Sequence, residues 1–175
     1  MAPRRCGSSS EFRGTSINLT AVYRDELARS IDVPASSVKV VGFDTFEGLP
    51  EAWHSLPAGA YSTGGRVPDM GEGVTLHRGL FSQTLPPFLD GHDGALRLAH
   101  IDCDLYSATE TALEALAPRV TPGTVLVFDE YLMNPRWRED EHRALVEVGK
   151  RHGWTWRYAA FSLLAHQAVV QVTET

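Results

Sequence analysis

The sequence has few cysteines and no long apolar run, and both shortages exclude classes of protein. Only Cys6 and Cys103 occur among its 175 residues, which is too few for a disulfide framework and lacks the paired spacing of a zinc site. No apolar stretch approaches the ~20 residues of a membrane span, and no apolar segment follows the N-terminal arginines to form a secretory signal. We therefore expect a soluble, cytoplasmic protein without a membrane partner.

Positive charge is scarce as well. The chain has 16 lysines and arginines against 22 aspartates and glutamates, which gives a net charge of −6. Nucleic-acid-binding proteins usually carry a basic face, so we expect no nucleic-acid partner. A linker rich in glycine, serine or proline is also missing between periodic halves, and the sequence therefore predicts one domain over residues 1–175.

Helix-like and strand-like segments alternate along this domain. The alternation is typical of an α/β fold in which a mostly parallel, Rossmann-like sheet has helices on both faces. The last two strands predict an antiparallel hairpin that turns around residues 163–166. The predicted helices cover 14–31, 107–120 and 138–153, and a turn or short helix is predicted over 85–92. The predicted strands cover 37–46, 74–81, 95–105, 124–131, 155–162 and 167–173.

Turn chemistry adds detail to this pattern. Ser107, followed three residues later by Glu110, is a capping-box pattern for the start of a helix, and Gly153 fits the stop of the last helix. Residues 47–73 are rich in glycine and proline and show no sustained period. A stretch this long without regular structure is usually a functional loop, so we expect a lid-like loop there.

Acidic residues follow three of the predicted strands, at Asp44, Asp102 and the pair Asp129–Glu130. In open α/β sheets, ligands bind beyond the carboxyl ends of the strands. A simple crossover makes the strands that end near Asp102 and Asp129 neighbours, so we expect both carboxylates to hold one Mg²⁺, with Glu130 as a third oxygen ligand. Asp44 is placed to accept hydrogen bonds from ribose hydroxyls, as acids at strand ends do in dinucleotide folds.

Four stretches together resemble one protein family: "GFDTFEGLPEAW", "GLFSQTLPPFL", "HIDCDLYSAT" and "GTVLVFDEY". In this order and spacing they look like the macrolide sugar O-methyltransferases of the macrocin and mycinamicin type, and the similarity runs from about Glu11 to the C-terminus. The resemblance implies a class I methyltransferase fold with S-adenosylmethionine and Mg²⁺ as cofactors. It also implies methyl transfer to a hydroxyl of a small molecule, such as a natural-product sugar.

The resemblance assigns roles to single residues. It implies Asp102, Asp129 and Glu130 as metal ligands, with Glu130 in the place of an aspartate. Asp102 is also the first candidate for the general base, and His142 on the following helix is the second. The implied cofactor contacts are Glu11, Gly14, Ser16, Asp44, Phe46, Phe81, Ser82 and Asp102. Candidate substrate contacts in the lid-like loop are Trp53, His54 and Tyr61, with plain loop surface as the alternative for the last two.

One stretch departs from the family pattern. The family begins its fold with a strand and a turn of the form E-F-G-V-x-x-G-x-S, whereas this chain reads "SSSEFRGTSIN". Because Glu11 and residues 14–16 match but the Gly-Val pair is missing, we expect a shortened cofactor turn, with residues 1–10 disordered or a remnant of the first strand. Two alternatives stay open: an active O-methyltransferase, which could form a homo-oligomer, and a truncated, non-catalytic methyltransferase-like binding protein.

Two other enzyme classes fit less well. The stretch "DCDLYSAT" superficially resembles the D-x-D-x-[TV] motif of haloacid-dehalogenase-type phosphatases, but it follows a late strand instead of the first one. The chain beyond it offers only Lys150 as a lysine, in the middle of a predicted helix. A dinucleotide dehydrogenase is disfavoured because no G-x-G-x-x-G motif follows a first strand.

Overall fold

The structure is a computed structural model that describes residues 15–30, 32 and 34–175. The predictions for Glu11, Gly14 and residues 1–10 lie outside the described residues. Contacts within the chain divide it into two compact units, one that ends at Leu80 and one that begins at Phe81.

The described part of the first unit contains one long helix and a two-stranded parallel sheet. Gly42 lies in its first strand, and a Cβ atom there would approach Leu76 Cδ2 to 2.6 Å and Ile17 Cδ1 to 2.7 Å. The helix therefore packs closely on the sheet because this position has no side chain. The elements are α1 (Thr15–Ser30), a 3-10 turn (Ala35–Ser37), β1 (Val40–Asp44) and β2 (Val74–Arg78).

The predicted lid-like loop, residues 47–73, contains no helix and no strand, but hydrogen bonds give it an ordered course. The backbone N–H of Leu49 donates to the carbonyl of Ala60 at 2.9 Å, and the N–H of Gly59 donates back to the carbonyl of Leu49 at 2.8 Å. The loop thus satisfies part of its backbone internally, as compact surface loops do.

The second unit is a four-stranded mixed sheet with three helices. Its strand order is β3-β4-β6-β5, in which β3 and β4 are parallel and the last two strands form the predicted antiparallel hairpin. The predicted α/β class is therefore confirmed. The elements are α2 (Phe81–Asp90), β3 (Leu98–Ile101), α3 (Tyr106–Leu116), β4 (Val125–Phe128), α4 (Glu141–Arg151), β5 (Thr155–Ser162) and β6 (Gln167–Glu174).

One apolar core holds this unit together. Leu126 and Phe128 of β4 are fully buried together with Leu113 of α3 and Leu145 of α4. In β6 every second residue from Ala168 to Val172 is buried, which is the pattern of a strand with one face on a core. Within the described part of the chain, no helix combines the length and apolar character needed to cross a membrane.

The helix-end predictions have mixed outcomes. Gly153 follows the end of α4 with φ of 73°, which confirms it as the stop of that helix. The capping box at Ser107 is wrong, because α3 begins one residue earlier, at Tyr106, and its N-cap residue Leu105 makes no side-chain hydrogen bond. Glu110 accepts instead from the Tyr106 hydroxyl at 2.8 Å, so its carboxylate faces a side chain of the first turn.

Candidate functional site

The end of β1 places Asp44 and Phe46 in a tight turn. Asp44 Oδ1 accepts the backbone N–H of Phe46 at 2.6 Å, and the Asp44 carbonyl accepts the N–H of Gly79 at 2.9 Å. Phe46 has a φ of 59°, a left-handed conformation that is rare for an aromatic residue. Its carbonyl accepts the backbone N–H groups of Thr63 and Gly65. The turn thus fixes the Asp44 carboxylate and anchors the lid-like loop.

The carboxyl ends of β3 and β4 bring Asp102 and Asp129 together, as the sequence predicts. Asp129 extends the parallel ladder, because its N–H donates to the carbonyl of Ile101 at 3.0 Å. Asp102 follows Ile101 directly and is exposed. The crossover through α3 therefore delivers two carboxylates from neighbouring strands to one edge of the sheet.

His100 joins this pair. One ligand atom from each of His100, Asp102 and Asp129 lies within 4.8 Å of the other two. Among the described residues, these three form a group that could hold a metal ion. His100 Nε2 is 3.7 Å from Asp129 Oδ1. Two carboxylates and one imidazole are a ligand set that many divalent cations accept. We call these three residues the strand-end cluster.

Hydrogen bonds hold Asp129 in place. Gln167 Nε2 at the start of β6 donates to Asp129 Oδ1. Burial on its own raises the pKa of Asp129, but the hydrogen bonds from His100 and Gln167 and the charges of His100 and His166 outweigh it and hold the pKa below its usual range. The carboxyl group is therefore an anion at neutral pH, as metal coordination requires.

Glu130, the third predicted metal ligand, is not part of the strand-end cluster. Its Oε2 atom lies 3.3 Å from His166 Nδ1 on the hairpin turn. Its carbonyl accepts the Asn134 side-chain amide at 3.2 Å, and its backbone N–H donates to Glu141 Oε2 at 3.2 Å. The side chain is thus engaged with the hairpin turn.

Glu141, the first residue of α4, is a fully buried carboxyl group beside these acids. Burial, followed by the charges of Asp102 and Asp104, raises the pKa of Glu141 well above its usual range. A hydrogen bond from the backbone of Cys103 opposes this shift without reversing it. Glu141 therefore receives backbone hydrogen bonds from the segments that follow both β3 and β4.

His142, the second candidate for the general base, lies among aromatic rings. Its ring centroid is 4.8 Å from that of Trp137 in an edge-on arrangement and 5.3 Å from that of Tyr131. Burial, and then the charge of Arg138, lower the pKa of His142. The structure does not include His142 in the strand-end cluster, and its role as a base stays a prediction.

The other implied cofactor residues lie at helix starts. Ser16 is the second residue of α1, where its carbonyl accepts the Thr20 hydroxyl at 2.9 Å. Phe81 and Ser82 open α2, with Phe81 half-buried and Ser82 exposed. Cofactor contact by these residues stays a prediction.

The candidate substrate contacts of the lid-like loop sit at turns. His54 and Tyr61 are both exposed and have φ of 49° and 66°. The Trp53 ring is 4.7 Å from the His54 ring, and a short bridge pairs Trp53 with Leu56. These residues shape the loop, and their contact with a substrate remains a prediction.

An open apolar cleft lies beside the hairpin turn. Its volume is about 600 Å³, within the usual range of small-molecule sites, about 300–1,000 Å³. The segment after Glu130 and the hairpin turn that carries His166 form its walls, and the N–H of Leu132 donates to the His166 carbonyl at 3.1 Å. The lining residues are Leu132, Met133, Asn134, Pro135, Trp137, Phe161 and Leu163.

Sequence reasoning missed four side chains around the acids. His100 lies two positions before Asp102 and therefore on the same side of the strand, and this spacing is the signal that could have marked it. Gln167 and His166 reach the acids only because β6 pairs with β4. Glu141 resembles any acid at a helix start, and no sequence signal marked its burial.

Comparison with known proteins gives one family. A family model described as "Methyltransferase domain" matches residues 13–131. In the curated proteins, an 8-demethyl-8-(2,3-dimethoxy-alpha-L-rhamnosyl)-tetracenomycin-C 4'-O-methyltransferase of Streptomyces olivaceus is 39% identical over 56 residues. That match covers 32% of this chain but only 20% of the relative, so the chain aligns with about a fifth of that protein's length.

Solved structures show a similar fold. The O-methyltransferase NovP has a TM-score of 0.65 and 22% sequence identity, with 93% of this chain and 69% of that chain covered. The calicheamicin methyltransferase CalS11 has a TM-score of 0.60 and 22% identity, with 91% and 80% covered. At this level of identity the likeness supports the predicted Rossmann-like methyltransferase fold.

Proposed function

The chain belongs to the methyltransferase-domain family, and we propose that it is an S-adenosylmethionine-dependent O-methyltransferase. The proposed acceptor is a hydroxyl of a small molecule, such as a natural-product sugar, and the reaction uses a divalent cation, predicted as Mg²⁺. The observation that carries the proposal is the strand-end cluster, in which the ligand atoms lie within 4.8 Å of one another.

The residues of this edge fit a divalent cation. Asp102 and Asp129 supply carboxylate oxygens, the ligands that hard cations prefer, and Asp129 carries a pKa below its usual range. When bound, such a cation lowers the pKa of a chelated hydroxyl and orients it.

Asp102 and Asp129 then have different tasks. Asp129 is held by Gln167 and His100, so it keeps a fixed position at the end of β4. Asp102 is exposed at the end of β3, where it can also accept a proton from the acceptor hydroxyl. His142 is the second candidate for that proton.

The cofactor side rests on the residues that the resemblance names. S-adenosylmethionine supplies a methyl group on a sulfonium. In the first unit, the Asp44 carboxylate, oriented by the Phe46 N–H, accepts hydrogen bonds from ribose hydroxyls, and Phe46 lies on the adenine side. In the second unit, Phe81 and Ser82 are the residues that the resemblance assigns to adenine binding.

The lining of the apolar cleft supports an acceptor in which the hydroxyl-bearing group is attached to an apolar body. Trp137 and Phe161 line it, and aromatic side chains bind the flat or apolar faces of small molecules. An acceptor whose hydroxyl is attached to an apolar body matches this lining better than a free polyol does.

Calorimetric titration of the protein with S-adenosylmethionine, with and without Mg²⁺, tests the proposal. Micromolar binding is the expected result, and a screen of hydroxyl acceptors for methyl transfer follows from it. An absence of heat at millimolar cofactor would favour the alternative, a non-catalytic methyltransferase-like binding protein.

Two aspartate variants test the cation. Asp129→Asn removes a charged ligand, so methyl transfer is expected to fall by at least about 100-fold, which corresponds to about 2.7 kcal/mol of transition-state stabilisation. Asp93→Asn is the matched control, because the side chain of Asp93 is fully exposed and its Oδ1 atom lies 3.5 Å from Arg119 Nη2. Equal activities of the two variants would contradict the proposed site.

A further inference from the structure

Trp137 and Arg138 form a stacked pair beside the apolar cleft. The guanidinium carbon of Arg138 lies 4.1 Å from the centroid of the Trp137 ring, which is the geometry of a cation–π contact. Trp137 is half-buried and lines the cleft, whereas Arg138 is exposed. The pair therefore presents a flat aromatic ring and a positive charge next to each other.

Neighbouring rings hold Trp137 in position. The His142 ring meets the Trp137 ring edge-on, with the centroids 4.8 Å apart, and the centroid of the Tyr131 ring is 6.5 Å away. Tyr131 is itself buried, and its hydroxyl shares a hydrogen bond of 2.7 Å with the hydroxyl of Tyr158. Because these contacts restrict the indole before a ligand arrives, a ligand that stacks on it loses less free energy to side-chain ordering.

Arg138 differs from the neighbouring arginines in its pairing. Arg136 forms an ion pair with Glu139. Arg143 forms an ion pair with Glu147 at 2.8 Å. Among the described residues, the guanidinium of Arg138 has no carboxylate partner, and it stacks on the adjacent ring instead. An arginine on an aromatic face keeps its N–H groups at the edge of the plane, where they match a carboxylate or another anionic group.

The cleft adjoins the acidic edge of the sheet. The Glu130 carboxylate lies 3.3 Å from His166 Nδ1 on the hairpin turn. Two residues later, the N–H of Leu132 donates to the His166 carbonyl at 3.1 Å, and Leu132 lines the cleft. An acceptor in the cleft therefore lies against the segment that directly follows Asp129, one of the proposed cation ligands.

We propose that the cleft binds an acceptor with an aromatic ring and an anionic group, the ring against Trp137 and the anion paired with Arg138. The inference rests on the proposed function because it names the class of acceptor. The carboxylates that follow β3 and β4 repel an anion, so the charge of Arg138 determines where the anionic group lies. Trp137 and Arg138 are then specificity-determining residues, and a neutral polyol uses neither of them.

Ligand-observed NMR titration of the full chain, without cofactor, tests this assignment. The probes are 2-naphthoate, the neutral ring 2-naphthol, and decahydro-2-naphthoate, which keeps the charge and the carbon skeleton but has no aromatic ring. We expect 2-naphthoate to bind with a dissociation constant of about 1 mM or lower, and the saturated analogue to bind at least about threefold more weakly.

Two variants separate the ring from the charge. In Arg138→Gln, the affinity for 2-naphthoate falls about 3–5-fold because an exposed ion pair is lost, and the affinity for 2-naphthol stays within about twofold. In Trp137→Leu, the affinities for both aromatic probes fall about 3–10-fold. Arg97→Gln is the matched control, because Arg97 is also exposed but precedes β3, at the end of the strand away from the acids.

Thermal unfolding shows whether each variant is folded, and Trp137→Phe, which keeps a ring, should retain most of the binding. The proposal is overturned if 2-naphthoate does not bind at millimolar concentration, or if Trp137→Leu binds it unchanged. It is also overturned if Arg138→Gln and Arg97→Gln weaken binding equally, or if the saturated analogue binds as well as 2-naphthoate. Probe binding without methyl transfer to any acceptor would contradict the proposed function and leave the cleft assignment intact.

Discussion

The two units of the chain bury apolar side chains to different extents. The apolar core cluster lies in the second unit, where Leu113, Leu126, Phe128 and Leu145 are fully buried. Among the described residues, the buried apolar side chains of the first unit are fewer and smaller on average: Ala21, Ala28, Val40, Phe46 and Leu49. Because apolar burial is the main favourable term in folding, the stability of the described chain resides mostly in the second unit.

The helices of the two units differ in the same way in how far they bury their apolar side chains. The long helix α1 leaves Leu19, Val22, Tyr23 and Leu27 between 49% and 70% exposed. Helix α4, by comparison, buries Ala144, Leu145 and Val148 completely. A sheet of two strands is also only marginally stable on its own. The described part of the first unit therefore depends on backbone hydrogen bonds in its turns.

Replacing one leucine in each unit tests the difference in apolar burial where the expected effect on stability is largest. Leu145→Ala in α4 removes a fully buried side chain and should lower the free energy of unfolding by about 2–5 kcal/mol. Leu27→Ala in α1 removes a side chain that is 61% exposed. This substitution should change the free energy of unfolding by less than about 0.5 kcal/mol. Chemical denaturation followed by circular dichroism measures both values.

A large loss of unfolding free energy in Leu27→Ala would contradict this difference between the two units. It would mean that α1 buries its apolar face in solution, for example against a second copy of the chain. The apparent stability would then depend on protein concentration, which a dilution series detects. A loss below 1 kcal/mol in Leu145→Ala would contradict the assignment of the core.

Two glycines test whether backbone geometry holds the loop of the first unit. Gly48 has a φ of 81°, and a Cβ atom there would lie 2.2 Å from the Ala60 carbonyl oxygen. Gly59 has a φ of 80°, but a Cβ atom would meet nothing within 4 Å. Gly59→Ala should therefore cost only the left-handed conformation, about 1–2 kcal/mol, whereas Gly48→Ala also forces the loop apart.

Limited proteolysis within residues 47–65 is the measurement. Cleavage of Gly48→Ala should be at least about tenfold faster than cleavage of Gly59→Ala, which corresponds to about 1.4 kcal/mol of additional loop opening. The core of the second unit should unfold as before in both variants. Equal cleavage rates would show that the hydrogen bond from the Leu49 N–H to the Ala60 carbonyl does not hold the loop closed.

The sequence was sufficient to predict most of the elements, because apolar periodicity is strong in α4 and β6. Helix α2 is the exception, since it covers Phe81–Asp90 where a strand end and a turn or short helix were predicted. Element ends were less accurate: the strand predicted over 95–105 covers only Leu98–Ile101. Strand ends depend on where the ladder to a neighbouring strand stops, and that neighbour is not visible in the strand's own sequence. Ser107 failed as a cap for a related reason, since the turn before it places Leu105 at the helix start.

The site was predictable where chain connectivity determines it. Asp102 and Asp129 follow two strands joined by one helix, so the crossover rule makes them neighbours. His100 and Gln167 were missed because their contacts depend on side-chain direction and on the insertion of β6 beside β4. Sequence order would place β5, not β6, next to β4, so the residue that donates to Asp129 was hidden in the last strand.

The smallest expected effect concerns ion pairs on the surface of the second unit. Glu114 of α3 lies 2.7 Å from His152 Nε2 and 2.6 Å from Arg151 Nε. The hydrogen bond from His152, then the hydrogen bond and charge of Arg151, lower the pKa of Glu114 against the opposing effect of burial. A carboxyl group with a lowered folded-state pKa stabilises the fold above its unfolded pKa, and this stabilisation is lost as the pH falls through the folded-state value.

Glu114→Gln should therefore reduce the free energy of unfolding at pH 7 by only about 0.2–1 kcal/mol, because the side chain is 38% exposed and screened by solvent. The difference from the unsubstituted protein should vanish at a pH well below 4.5, the ordinary value of this carboxyl group, and should shrink in about 1 M salt. Denaturation curves across this pH range measure it. A loss as large as that of Leu145→Ala would mean that ion pairs, and not the apolar core, distinguish the second unit from the first.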